Sequence, residues 1–344
     1  MSRWAVILAG GVGSRFWPLS TPRRPKQLLP LVGDEPLLVQ AVRRLAPLVS
    51  ASRTLVVTNG ALAPAIRALL PELPPENVIP EPRAAGTAPA LAWAATEIRR
   101  RDDADAVMLC VHADWAIGDP EGFRDTLARA AAVAEAERSL VTVGVVPSRP
   151  DPGFGYIQPA EAVDGARRVA RFVEKPDRAT AERMVRDGFL WNSGIFVWRA
   201  ADFLAEVEAH AGEVAPSLPL AERGDLAGFF GAVTPISVDH GVLERSSRVL
   251  VIPGDFAWDD VGTWAALRRV RERDAGGNAT AGDVHLVQAE GNVVHAEQQT
   301  VVLYGVSDLV VVSRDGLTLV TTVDRAADLK TLLDALPASV RDRS

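Results

Sequence analysis

The sequence has 344 residues, of which 48% are hydrophobic, so it is long enough for a large α/β domain and a smaller second one. A net charge of −7 excludes long-range attraction to nucleic acid, so any phosphate ligand would be held by a few placed cationic side chains of the protein. We expect the partner to be a small molecule. The apolar run at residues 4–9 is too short for a signal peptide or a membrane span, and Cys110 is the sole cysteine, so we expect a cytoplasmic protein without disulfides or membrane contact.

Short β-branched runs alternate with amphipathic stretches in the first part of the chain. The runs predicted as strands are residues 4–9, 54–58, 77–81, 106–111 and 140–145. The stretches predicted as helices are residues 36–46, 61–70, 87–101 and 120–138. This alternation predicts a parallel sheet covered by helices on both faces, with functional loops beyond the carboxyl ends of its strands.

The pattern changes in the rest of the chain. Residues 151–267 are less regular, and after Asn278 short strands follow one another until a terminal helix near 325–336. We therefore expect an α/β domain over residues 1–274 and a small C-terminal β domain over residues 275–344, which is β-helix-like and ends in a helix. Exposed strand edges in the second domain would favour a homodimer.

The loop after the first strand combines glycines with two cations. Its candidate residues are Ala9, Gly10, Gly11, Gly13, Ser14, Arg15 and Lys26. Glycines let backbone N–H groups approach an anion, and a guanidinium and an ammonium supply charge, so the loop predicts a cradle for a triphosphate. The Walker pattern GxxxxGK[ST] is absent and the dinucleotide pattern GxGxxG is broken at Phe16, which disfavours a nicotinamide oxidoreductase.

This loop resembles the signature of the nucleotidyltransferases that make nucleotide sugars. The resemblance rests on the run from Gly10 to Ser20 and on Pro25-Lys26-Gln27, and Trp17 with this second motif is similar to the mannose-1-phosphate guanylyltransferase branch. Further similar segments follow in order: EPRAAGTAPA (81–90), HADW (112–115), FVEKP (172–176), WNSGIF (191–196), SVDHGVLER (237–245) and FAWDDVGTW (256–264). The terminal β region also resembles that of the short, single-activity members.

The resemblance implies a Rossmann-like, GT-A-like nucleotidyltransferase domain with a mixed, mainly parallel sheet. It also implies Mg²⁺-assisted in-line transfer from GTP to α-D-mannose 1-phosphate, which gives GDP-mannose and pyrophosphate without a protein nucleophile. The family's two metal aspartates correspond to Asp114 and Asp260, a pair that suits Mg²⁺, and Arg15 and Lys26 complete the implied catalytic set. Position alone does not exclude Asp259, so only the resemblance favours its neighbour.

The segment that begins at Glu81 is implied to bind the base. Guanine presents its N1–H and N2–H₂ donors side by side, and a carboxylate accepts both, whereas related uridylyl- and thymidylyltransferases carry a glutamine here. Gly86 and Thr87 complete the predicted nucleotide-binding residues. The branch usually has Arg-Asn before the Thr-Ala-Pro-Ala motif, where this chain has Ala85-Gly86, so Arg83 is a candidate substitute.

The sugar phosphate is implied to bind a separate set of residues. Glu174 and Asn192 suit the sugar hydroxyls, Lys175 suits the phosphate, and the turn at Gly155 offers backbone donors. The metal segment departs from the usual pattern because Trp115 follows the aspartate where the branch usually has a histidine.

Two other functions remain open at this point. One is a uridylyl- or thymidylyltransferase that acts on glucose 1-phosphate, although those branches usually lack the PKQ motif. The other is a non-catalytic regulatory homologue that binds nucleotide sugars. Loss of a metal aspartate or of the loop lysine would mark such a homologue, and Asp114, Asp260 and Lys26 are all present. The sequence does not separate mannose from glucose, which differ in the orientation of one hydroxyl.

Overall fold

The chain forms two compact units in the computed structural model, which describes residues 1–11, 14–103 and 105–341. Unit 1 comprises Met1–Gly10, Val42–Ala113 and Asp119–Phe256. Unit 2 comprises Gly11–Ala41, Asp114–Gly118 and Ala257–Ser344. Each unit is therefore assembled from three separate segments of the chain. The domain boundary between residues 274 and 275 stays a prediction.

Strands and helices alternate through the first half of the chain, and strands dominate its last part. The strands are β1 (Arg3–Leu8), β2 (Thr54–Asn59), β3 (Val78–Glu81), β4 (Val107–His112), β5 (Ala116–Ile117), β6 (Leu140–Val145), β7 (Tyr156–Val163), β8 (Ala166–Val173), β9 (Leu190–Arg199), β10 (Val249–Gly254), β11 (Trp258–Asp259), β12 (Ala279–Ala281), β13 (Val284–Val287), β14 (Val293–Ala296), β15 (Val301–Tyr304), β16 (Leu309–Arg314) and β17 (Leu317–Thr322). The helices are α1 (Leu37–Leu45), α2 (Ala63–Leu69), α3 (Thr87–Arg101), α4 (Pro120–Glu137), α5 (Arg178–Arg186), α6 (Ala200–His210), α7 (Leu218–Glu222), α8 (Leu226–Ala232), α9 (Trp264–Val270), α10 (Leu329–Ala335) and α11 (Ala338–Arg341).

Unit 1 is built on a nine-stranded sheet in the order β3-β2-β1-β4-β9-β6-β10-β8-β7. The sheet is mixed: β8 and β9 run against the other seven strands, which all point the same way. The residues of β1, β4 and β6 are almost all buried, which requires cover on both faces of the sheet. These findings confirm the predicted α/β architecture.

Local signals in the sequence explain where the helices of unit 1 begin. The side chain of Asp119 accepts hydrogen bonds from the first turn of α4, and Pro120 occupies the first helical position, where its missing N–H costs nothing. Helix α3 begins after Gly86 and buries ten of its fifteen residues, among them Trp93, which packs against Phe229 and Phe230. The helix also contacts β1 and β2, so this burial packs α3 against the sheet.

The C-terminal strands of unit 2 form stacked parallel turns. β12, β14 and β16 pair in parallel and β17 closes this sheet antiparallel, while β13 and β15 form a second parallel pair. Buried Asn278 and Asn292 connect successive turns, because each side-chain oxygen accepts a backbone N–H from the next turn. The predicted β-helix-like character of this region is confirmed. Within the described residues, no helix combines the length and the apolarity needed to cross a membrane.

Candidate active site

Lys26 is the centre of a polar group in unit 2. It begins a 3-10 turn, Lys26–Leu28, and only 6% of its surface is exposed. Its Nζ donates to Oδ2 of Asp114 at 3.0 Å and to the main-chain oxygen of Asp260 at 2.5 Å. The structure therefore brings together three of the four predicted catalytic residues, which come from three distant segments.

A short strand pairing holds the two aspartate segments in place. β5 and β11 pair antiparallel, with Ala116 opposite Asp259 and Ile117 opposite Trp258. The ring of Trp258 also meets that of Trp115 edge-on, with 6.0 Å between centroids. Trp115, which departs from the usual family pattern, is thus part of the packing that joins the two segments.

Asp259 and Asp260 have different environments although they are neighbours. Asp259 is 4% exposed, and its Oδ2 accepts from Nε of Arg269 at 2.9 Å while its Oδ1 accepts from the backbone of Val261. Asp260 instead lies beside the Lys26 ammonium, and its Oδ1 accepts from Gly262 N at 3.1 Å. This arrangement supports the metal assignment of Asp260 and gives Asp259 a structural role.

The electrostatic environment of Asp260 suits a carboxylate that coordinates a cation. Burial is the largest effect and raises the pKa of its carboxyl. The nearby cations Lys26 and Arg15 lower this pKa, and the carboxylates of Asp259 and Asp114 raise it. Two carboxylates close enough to repel each other would be relieved by a divalent cation, and Mg²⁺ takes few protein oxygens. No group of three or more His, Cys, Asp or Glu side chains suited to a metal occurs in the described part of the chain. An ion held by Asp114 and Asp260 would therefore rely on phosphate and water oxygens for its other ligands.

The backbone beside Asp260 is strained. Val261 has a φ of +47°, in the left-handed region that a β-branched residue rarely adopts, and its side chain is fully buried. Such strain persists only where the surroundings hold the conformation, and it is commonly found at functional sites. The strained residue lies between Asp260 and Gly262, whose N–H binds the Asp260 carboxylate, so the conformation shapes this turn.

The glycine-rich loop is described in part. Ala9 donates its N–H to Val57 O at 2.8 Å at the end of β1, and Gly10 follows in unit 1. In unit 2, Gly11 O accepts from Nε2 of Gln27 at 2.9 Å, and Arg15 is exposed. Gly13 and the Ser14 side chain lie outside the described residues, so their predicted phosphate contacts stay predictions.

Glu81 ends β3 and is only 9% exposed. A side chain at Gly10 would lie 3.3 Å from its Oε2, so the glycine leaves room beside this carboxyl. Burial raises the pKa of Glu81 to about 7. A buried carboxyl at the end of a parallel strand, beside Gly10, suits the predicted role in binding a polar ligand edge.

Gly86 is required by the backbone at the start of α3. Its φ and ψ of 87° and 173° belong to a region essentially restricted to glycine, and a side chain there would collide with the backbone of Ile236. Thr87 Oγ1 accepts from Val238 N at 2.8 Å. Nη2 of Arg83, considered above as a substitute for base contacts, donates to Val233 O at 2.5 Å. Arg83 therefore has a structural contact in this conformation.

The predicted sugar-phosphate residues also lie together in unit 1. Asn192 donates its N–H to Gly155 O at 2.8 Å, and a side chain added at Gly155 would lie 2.8 Å from Oε2 of Glu174. Nζ of Lys175 lies 2.8 Å from Oε1 of Glu174, and both side chains are exposed. The four predicted residues thus form one polar group, and the glycine allows the Glu174 carboxylate to approach the backbone closely.

Two further residues, one that contacts this group and one beside its sequence neighbours, were not selected from the sequence. Asp239 Oδ1 accepts from Nδ2 of Asn192 at 2.8 Å and so orients the amide. Arg149 lies over the rings of Trp191 and Phe154, at 5.0 and 5.5 Å from their centroids, and its Nε donates to Asp151. Asp239 lies in the segment 237–245, which the family resemblance marks without singling out a residue, while no sequence signal pointed to Arg149.

Known proteins resemble the chain over nearly its whole length. A family model described as "Nucleotidyl transferase" matches residues 4–276. The chain is 37% identical to the mannose-1-phosphate guanylyltransferase ManC of Salmonella typhimurium over 98% of its own length and 74% of that protein. It is 36% identical to the alginate biosynthesis protein AlgA of Pseudomonas aeruginosa over 98% of its length and 73% of that protein. A solved structure named mannose-1-phosphate geranyltransferase, from Thermus thermophilus, superimposes with a TM-score of 0.91 at 33% identity and covers 97% of this chain and 99% of that one.

The different environments of Asp259 and Asp260 predict different effects of Asn substitutions. Asp260→Asn should lower kcat by at least ~10²-fold with an unchanged thermal midpoint, because a ligand charge is lost. Asp259→Asn should keep kcat within a few-fold but lower the free energy of unfolding by ~1–3 kcal/mol, because its ion pair with Arg269 is weakened. Steady-state kinetics and urea unfolding of both variants test this. An inactive Asp259→Asn beside an active Asp260→Asn would reverse the assignment.

The tight surroundings of Lys26 predict that arginine does not replace it. Lys26→Arg conserves the charge, but a wider guanidinium does not fit between Asp114 Oδ2 and the Asp260 carbonyl, so kcat/KM should fall by ~10-fold or more. Lys330→Arg on α10 is the matched control, because that side chain is exposed. Equal activity of the two variants would show that charge alone matters at position 26.

Proposed function

The chain belongs to the nucleotidyl transferase family, and we propose that it transfers the guanylyl group of GTP to α-D-mannose 1-phosphate, giving GDP-mannose and pyrophosphate. The observation that carries this proposal is the buried ammonium of Lys26, bonded to Asp114 Oδ2 and to the Asp260 carbonyl. The choice of GTP and mannose 1-phosphate is supported by relatives named mannose-1-phosphate guanylyltransferase, which share more than a third of their aligned residues with the chain.

The reaction is an in-line displacement at the α-phosphorus. A phosphate oxygen of mannose 1-phosphate forms a bond to the α-phosphorus of GTP, and the bond from that phosphorus to the oxygen bridging the β-phosphate breaks. Both reactants are anionic, so the protein has to align them and offset their charge, and no side chain needs to act as a nucleophile. Lys26 and Arg15 would supply positive charge to the triphosphate.

The carboxylates of Asp114 and Asp260 would hold Mg²⁺. A bound divalent ion would offset phosphate charge in the transition state. Within the protein, the Lys26 ammonium neutralises Asp114 and orients the Asp260 segment through its carbonyl oxygen. Lys26 thus contacts both of the segments that carry these aspartates.

Recognition of the two substrates would use residues of unit 1. Glu81, Gly86 and Thr87 would contact the guanosine part, with Glu81 accepting from guanine N1–H and N2–H₂. Glu174 and Asn192 would bind hydroxyls of mannose, and the exposed ammonium of Lys175 would meet its phosphate. Asp239 would hold the Asn192 amide in one orientation. The cytoplasmic location and the homodimer stay predictions.

The proposed reaction can be tested directly by measuring pyrophosphate release with Mg²⁺ present. GTP, ATP, UTP and dTTP are each paired with mannose, glucose and fucose 1-phosphates. We expect the GTP and mannose 1-phosphate pair to have the highest kcat/KM. Preference for UTP or dTTP with glucose 1-phosphate would identify a different transferase, and binding of nucleotide sugar without turnover of any pair would identify a regulatory homologue.

The burial of Glu81 predicts base selectivity that depends on pH. With a pKa of about 7, Glu81 is ionised above that pH and accepts both guanine donors, whereas below it the protonated carboxyl loses one acceptor. The GTP/UTP ratio of kcat/KM should therefore fall by ~10-fold between pH 8 and pH 6, about 1.4 kcal/mol. Glu81→Gln should have a low ratio at every pH, and Glu72→Gln, an exposed control, should behave as the wild type. A ratio in Glu81→Gln equal to that of the wild type would assign base selection to other groups.

A further inference from the structure

The loop that carries Lys26 has a backbone that needs partners from elsewhere. Residues 14–31, here called the lysine loop, contain two short 3-10 turns, Ser14–Phe16 and Lys26–Leu28. Carbonyl groups outside such turns must find other donors when they are buried. The position of Lys26 therefore depends on what those donors are.

Side chains of the C-terminal part of unit 2 supply the donors. Arg314 donates from Nη1 to Leu19 O at 2.9 Å, and Arg271 donates from Nε to Leu31 O at 2.7 Å. Trp264 donates from Nε1 to Trp17 O at 3.2 Å. These contacts lie on both sides of Lys26 along the loop, so they restrain it at two ends.

The two arginines are themselves fixed by a polar cluster. Glu297 pairs with Nε of Arg314 at 3.4 Å and with Nη2 of Arg24, a residue of the lysine loop, at 3.0 Å. Nη2 of Arg271 lies 3.0 Å from Nδ1 of His295, whose pKa burial lowers to about 3. The imidazole is therefore neutral near pH 7, with its proton on Nε2, and Nδ1 accepts from the guanidinium. This gives Arg271 a partner without adding a second positive charge.

A guanidinium suits this task because it is planar and has several donors at fixed angles. Arg314 uses separate nitrogens for the loop carbonyl and for Glu297, and only 13% of its side chain is exposed. Such an arrangement is rigid, since moving the loop would break charge-assisted hydrogen bonds in a sparsely hydrated place. The distance of 3.0 Å from Lys26 to Asp114 would change with any shift of the loop.

We propose that Arg314 and Arg271 are positioning residues for the transfer reaction: by holding the carbonyls of Leu19 and Leu31 they set the place of the Lys26 ammonium. The restraint on the lysine loop is inferred from the contacts alone. Its effect on catalysis rests on the proposed function. The positioning role extends the proposed active site to Arg271 at the end of α9 and Arg314 on β16.

Amide hydrogen exchange tests the physical basis without any substrate. Leu19 and Ser20 donate their N–H groups to Phe16 O, and these amides should exchange at least ~10-fold faster in Arg314→Ala than in the wild type. Arg268→Ala is the matched control, because Arg268 in α9 pairs with Asp308 at 2.8 Å, outside the lysine loop. If circular dichroism shows that Arg314→Ala does not fold, Arg314→Lys takes its place. Unchanged exchange in the folded variant overturns the proposal.

A double-mutant cycle tests the consequence for catalysis. Arg314→Ala should lower kcat/KM for GTP by ~10-fold in the wild type but by less than ~2-fold in Lys26→Arg, where the geometry at residue 26 is already lost. A role in stability alone would lower activity equally in both backgrounds, and that result overturns the proposal. Arg268→Ala should change neither background. If the wild type lacks guanylyl transfer, the proposed function fails, while faster exchange in Arg314→Ala would still support the restraint on the loop.

Discussion

The arrangement of unit 2 depends on placing one ammonium group away from water. A buried ammonium is tolerated only when charged and polar partners replace its hydration. Lys26, 6% exposed, has the Asp114 carboxylate at 3.0 Å and the Asp260 carbonyl at 2.5 Å. The segments that carry Lys26, Asp114 and Asp260 must therefore be placed accurately relative to one another. Three kinds of contact hold these segments in place: the pairing of β5 with β11, the ion pair of Asp259 with Arg269, and the hydrogen bonds from arginines to the lysine loop.

Much of the architecture could be predicted because it depends on local patterns. The helix predicted over residues 87–101 coincides with α3, and the strand predicted over 140–145 coincides with β6. Asp114 could be selected in part because it stands just beyond the carboxyl end of a parallel strand, where ligands of such sheets bind, whereas Glu81 was selected from the family resemblance. The pattern that predicts the strands thus also indicates which loops follow their carboxyl ends.

Other features could not be read from the sequence because they depend on contacts between distant segments. Asp239 and Asn192 are 47 positions apart, and no spacing rule relates them. Gly86 departs from the usual Asn of the branch, and the backbone accounts for the glycine, since residue 86 adopts a glycine conformation against Ile236. The different environments of Asp259 and Asp260 likewise could not be predicted, because they depend on Arg269, which pairs with Asp259 from ten positions away.

Strained backbone and buried charged groups reduce stability, and unit 2 contains both. Val261 is held at a φ of +47°, and burial raises the pKa of the neighbouring Asp260. The same unit offsets such costs with an apolar core in which the rings of Phe16 and Trp264 meet edge-on at 5.2 Å and side chains of β14 and β16 pack beside them. Since Phe16 lies in the lysine loop and Trp264 follows the Asp260 turn, packing in this core bears directly on where Lys26 and Asp260 stand. Substitutions among the C-terminal strands should therefore be expected to influence catalysis as well as folding.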